Sequence, residues 1–156
     1  MSIERESFLS FCCEITGYSA VDLEGTGLVD RYRQLTQDAL GSRLTEELSS
    51  IISQMIAHPA GSQARDDVVG QQLLASSLFW PVAQTLIRLW YLGTWNQLPD
   101  SWYAAAGLPT PGPRDAGTTH VPSALSYIEQ LSYRTASAHT PGAKPPGYGS
   151  WSKVPA

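Results

Sequence analysis

An all-α fold is what this sequence predicts: a single small helical domain of about five to six helices, followed by an extended tail rich in proline and glycine. Three observations point there. Apolar residues recur at three- and four-residue spacing through the first two-thirds of the chain, nowhere does strict alternation persist over five or more residues, and glycine or proline marks most of the joints. The helical domain is expected to span residues 1–138, with a loop at 96–121, and the tail residues 139–156.

The first helix is carried by Phe8, Leu9, Phe11, Cys12 and Ile15 and stops at Gly17, placed as a left-handed cap. Ser19 is a good N-cap for the next segment, with Asp22 three residues on in the capping-box position. Gly25 and Gly27 weaken that segment. A second helix is expected from about residue 28 through Tyr32, Leu35 and Leu40 to Gly41, and a third, capped by Ser42 or Thr45, carries Leu44, Leu48, Ile51, Ile52, Met55 and Ile56 until His58-Pro59 ends it. A shorter helix follows at 63–76.

The window from residue 77 to 95, SLFWPVAQTLIRLWYLGTW, is the most apolar in the chain. Val82, Leu86, Leu89 and Trp90 follow the i, i+4, i+7, i+8 stripe of a buried face, and Ile87, Tyr91 and Leu92 widen it almost all the way round. Pro81 is placed at the first helical position, where its preset φ fits and its missing N–H is unneeded. A helix apolar nearly all round must be covered on most sides. In so small a chain this points to a partner surface, with Trp80, Trp90, Tyr91 and Trp95 as interface residues.

Residues 96–119 hold so many prolines and glycines that no regular element is expected there. One more helical stretch is expected at 122–134, on Leu125, Ile128 and Leu131, with Pro122 near its first position. The last 18 residues, HTPGAKPPGYGSWSKVPA, hold four prolines and three glycines, yet carry Tyr148 and Trp151, for which a solvated linker has no use. The tail is therefore expected to lie along a partner's surface with those two rings as anchors. The alternative is a tail that folds back over its own helices.

Composition narrows function. Charged residues are 15% of the chain against a typical quarter, while five tryptophans and seven tyrosines are present, the balance of a surface partly covered by another molecule. A net charge of −4 gives no basic footprint for nucleic acid. Arg88 and Gln84 interrupt the best apolar run before it reaches the roughly 18–20 residues that span a bilayer. No basic leader or twin-arginine pair opens the chain as given, which would place it in the cytoplasm, or in a periplasmic membrane-associated complex if a leader was removed or is on the partner.

Chemical candidates are few. His58, His120 and His139 stand beside prolines or in loops, not at ligand spacing, so no metal site is expected. No serine has a G-x-S-x-G setting, no G-x-G-x-x-G follows a strand, and Glu46-Glu47 and Asp66-Asp67 read as solvated helix faces. Catalytic and cofactor-binding residues are expected to be none. Adjacent Cys12 and Cys13 read as one buried thiol beside a free one, with a bridge to a partner as the alternative.

Three blocks carry a family resemblance: FLSFCCEITGYSAVDL near the start, FWPVAQTLIRLWYLGTW in the middle and SAHTPGAKPPGYGSW near the end. With them the chain resembles the small (gamma) subunit of membrane-associated FAD-dependent sugar and polyol dehydrogenases, the sorbitol, fructose and glucose dehydrogenase complexes. In such complexes, the resemblance implies, a large subunit of the glucose–methanol–choline type holds FAD and the active site, and a multihaem cytochrome c subunit often accepts the electrons. The small subunit is a non-catalytic accessory and chaperone that stabilises the flavoprotein. The alternative of a different class is a free-standing helical binding protein, whose aromatic groove around Trp80, Trp90 and Trp95 stacks a sugar or other small ligand.

Overall fold

The structure, a computed structural model, describes residues 2–137. Among these the chain is helical and the all-α expectation holds. The expected tail anchors Tyr148 and Trp151 lie outside the described residues.

Helix α1 (Arg5–Thr16) buries Phe8, Leu9, Phe11 and Cys12 and ends where Gly17 takes φ 76°, its N–H bonding the Cys13 carbonyl. Helix α2 (Ala20–Glu24) starts on the predicted cap: the Ser19 hydroxyl accepts from the Asp22 N–H at 3.2 Å. Helix α3 (Val29–Ile56) runs through both predicted segments, and Gly41 breaks it into a kink with φ 69° and ψ 175°. Only glycine adopts such a backbone at little cost, which is why the apolar stripe changes direction there.

Helix α4 (Gln63–Val68) is capped by Ser62 and passes into a π-helical turn at Val69–Leu74. Arg65 ties this corner to α1, donating to Glu14 Oε2 at 2.7 Å and to Ser10 Oγ at 3.2 Å from a nearly buried position. Helix α5 (Phe79–Leu92) is the apolar helix of the sequence. It begins two residues earlier than Pro81 predicts, because the Ser76 hydroxyl accepts from the Phe79 N–H at 3.0 Å. Proline in the third helical position still falls in the first turn, where no helical carbonyl needs its N–H.

The region 96–119 corrects an expectation, for it contains helix α6 (Asp100–Ala106). Its breakers stand at the ends, with Pro99 as N-cap and Gly107 in the left-handed C-terminal cap at φ 67°, leaving SWYAAA free to wind. The stretch expected as one helix at 122–134 is two short ones, α7 (Ala124–Ile128), capped by Ser123, and α8 (Ser132–Thr135). Pro122 accordingly lies just outside α7.

One hydrophobic cluster runs from Ile3 to Leu131. Helix α1 lies against α3 and α5, α3 also meets α4, and α5 meets the π turn and α7. Among the described residues no helix is long and apolar enough to cross a membrane.

Both thiols are free, Cys12 fully buried and Cys13 half-buried. Burial raises both thiols above their ordinary pKa, and Cys12 furthest. The folded protein should therefore be alkylated by iodoacetamide slowly and at Cys13 alone, faster as pH rises, with Cys12 following only in denaturant. Peptide mass spectrometry reads the two positions separately, and equal labelling of Cys12 in the folded state would contradict the packing.

Candidate functional site

The four expected interface aromatics inside the described region fall into two classes. Trp90 is 1% exposed and Trp95 fully buried, so the structure corrects their assignment to a partner surface. The Trp90 ring meets Tyr32 edge-on, centroids 4.7 Å apart, and its indole N–H is buried beside the Cys12 thiol without a hydrogen bond of normal geometry. Burial pushes the Tyr32 phenol up to about 12. Trp95 is clasped by the segment after α6: its indole donates to the Gly117 carbonyl at 3.2 Å, and its backbone forms an antiparallel bridge with His120. Both rings are covered by their own chain.

Trp80 and Tyr91 remain half-buried on α5, packed against the core from its edge. Tyr91 joins two of the three sequence blocks. Its hydroxyl donates to the Thr16 carbonyl at 2.9 Å, and its ring stands edge-on to Tyr18 with centroids 6.0 Å apart. The Tyr18 hydroxyl in turn bonds Thr135 Oγ1 at 2.8 Å, at the end of α8. The third block begins at Ser137, two residues further on. Tyr18 of the first block and Tyr91 of the second thus meet beside α8 at one end of the fold, a juxtaposition that no spacing in the sequence announces, while the third block lies outside the described residues from its second residue on.

That end is apolar at its surface. Seven large apolar side chains are exposed among the described residues, and Leu92, Val121, Leu125 and Tyr127 are four of them. They belong to segments in close contact, because Gly93 lies directly under α7: a Cβ there would stand 2.3 Å from the Ser126 carbonyl oxygen. The Leu131 N–H donates to the Trp90 carbonyl at 3.0 Å, holding the next turn onto the same helix end.

Elsewhere a cleft of about 510 Å³ opens between the Gly41 kink and the segment after α6, walled by Asp38, Leu40, Tyr103, Leu108, Pro111 and Arg114 among others. Among the described residues its lining holds no serine, cysteine, histidine or tryptophan. With Trp90 and Trp95 inside the core, the aromatic ligand groove expected around Trp80, Trp90 and Trp95 does not form. Among the described residues no group of three or more histidine, cysteine, aspartate or glutamate side chains is placed to hold a metal ion.

Compared with known proteins, the chain matches no family model, and no curated protein and no solved structure matches it.

Proposed function

We propose that this chain is a non-catalytic accessory subunit that binds and stabilises a large FAD-dependent sugar or alcohol dehydrogenase subunit of the glucose–methanol–choline type. The observation that supports the reading is the meeting of two of the three blocks on which the resemblance rests. Tyr18 of the first stands edge-on to Tyr91 of the second and bonds Thr135 at the end of α8, two residues before the third begins. Two blocks far apart in sequence that meet at one end fit a docking surface better than two unrelated packing needs. In this reading the chain holds no cofactor of its own, FAD belongs to the partner, and a cytochrome c subunit receives the electrons.

The test is co-expression with the large flavoprotein that this reading places in the neighbouring reading frame. The two should co-purify at fixed stoichiometry, with the flavin retained by the large chain, while the small chain alone carries neither flavin nor dehydrogenase activity. A yellow preparation of the small chain alone, or a flavoprotein that ignores it, would overturn the reading. The tail has a separate expected outcome. Buried aromatic anchors commonly cost about 2 kcal/mol or more on truncation, so deleting residues 140–156, or changing Tyr148 and Trp151 together to alanine, should weaken the complex by about tenfold or more. The circular-dichroism spectrum should be retained. Unchanged affinity would release the tail from this role, and a collapsed helical signal would place it on its own domain.

A further inference from the structure

We infer that the face formed by the end of α5 and by α7 is the surface that receives the large subunit, and that its counterpart is an apolar patch bearing a carboxylate opposite Arg88. The inference rests on the accessory-subunit reading and adds to it a location and a chemistry.

Four facts lead there. Leu92, Val121, Leu125 and Tyr127 are each between 40% and 54% exposed, although larger and more apolar than a solvated helix end requires. The face is held rigidly, since the Gly93 backbone touches that of Ser126 and Tyr127, and the Leu131 N–H bonds the Trp90 carbonyl. Tyr133 of α8, four residues before the third block begins, neighbours Tyr127 on this same face. Finally, Arg88 is exposed one helical turn before Leu92 and has no hydrogen-bond or ion-pair partner among the described residues.

That unpartnered guanidinium selects among the occupants. The chain's own tail, residues 138–156, contains Lys144 and Lys153 and no aspartate or glutamate. Folding it over the face would bring cations toward Arg88. A second copy docked face to face would present the same arginine again. A separate chain with a carboxylate at the rim satisfies both the apolar area and the charge, and desolvating the patch strengthens the pair.

The experiment uses the full chain co-expressed with the flavoprotein from the neighbouring reading frame, with p-benzoylphenylalanine in place of Tyr127 and, in a control, in place of Leu74 on the π turn. Irradiation should join the Tyr127 position to the flavoprotein and leave the Leu74 position largely unlinked. In parallel, Arg88→Glu and the pair Leu92→Glu with Tyr127→Glu should each weaken the complex at least tenfold, the helical spectrum unchanged, and Arg88→Lys should recover most of the affinity. If the unmodified chain does not bind the flavoprotein, the accessory-subunit reading falls and takes this inference with it. If it binds, but the Tyr127 cross-link goes to residues 138–156 or to a second copy, or the charge variants bind as the unmodified chain does, this inference alone is overturned.

Discussion

Trp90→Ala should cost the fold about 3–5 kcal/mol, the range for truncating a buried large aromatic. The ring is 1% exposed, stands edge-on to Tyr32 and covers Cys12, so its removal leaves a cavity between α1, α3 and α5 that packed helices fill poorly. Domains are stable by about 5–15 kcal/mol, so this is a large fraction of the whole. At about 2–4 °C per kcal/mol for a domain of this size, the thermal midpoint should fall by roughly 6–20 °C. Thermal unfolding followed by circular dichroism measures it. Trp80→Ala, on the half-buried edge, should cost much less. A Trp90→Ala protein that melts like the unmodified chain while losing its partner would return Trp90 to the interface.

Gly93→Ala is the second large effect, and Gly17→Ala calibrates it. Both glycines close a helix in the left-handed region, at φ 67° and φ 76°, so each alanine pays about 1–2 kcal/mol of backbone strain. Their surroundings differ. A Cβ at Gly17 meets nothing within 4 Å, whereas at Gly93 it falls 2.3 Å from the Ser126 carbonyl oxygen and 2.8 Å from its carbon. Neither neighbour is a movable side-chain tip, so α7 must shift off the end of α5. Gly93→Ala should destabilise by about 3 kcal/mol or more in urea unfolding, and amides of 124–128 should lose hydrogen-exchange protection first. Equal urea midpoints for the two variants would mean that α7 is not seated as described.

Local chemistry was legible and long-range cover was not. Gly17, Ser19 and Gly41 act through their own backbone or the next few residues, and each does in the structure what its neighbourhood predicts. The density of prolines and glycines hides helix α6 in the sequence, while only their position matters: Pro99 and Gly107 bracket seven helical residues instead of interrupting them. The cover of the aromatic helix is hidden for a different reason. Its apolar circumference is real, but the cover comes from Tyr32 on α3 and from the segment around Gly117, contacts 58 and 22 residues distant in sequence. Periodicity reports how much of a helix is apolar and is silent on who covers it. The meeting of Tyr18, Tyr91 and Thr135 was invisible for the same reason.

The bond between Tyr18 and Thr135 also has a temporal side. The two residues are 117 positions apart, so at roughly 5–20 residues per second the ribosome makes the second about 6–23 s after the first. Through that interval α1 can settle on α3, but its contact with α5 waits until residues 79–92 are made, and the clasp of α8 waits for Thr135. The apolar end of the nascent domain therefore stays open until synthesis has passed Thr135. On the accessory-subunit reading proposed above, a large subunit already present at that moment would meet the face before α8 closes on it, and the order of synthesis would then be a determinant of assembly.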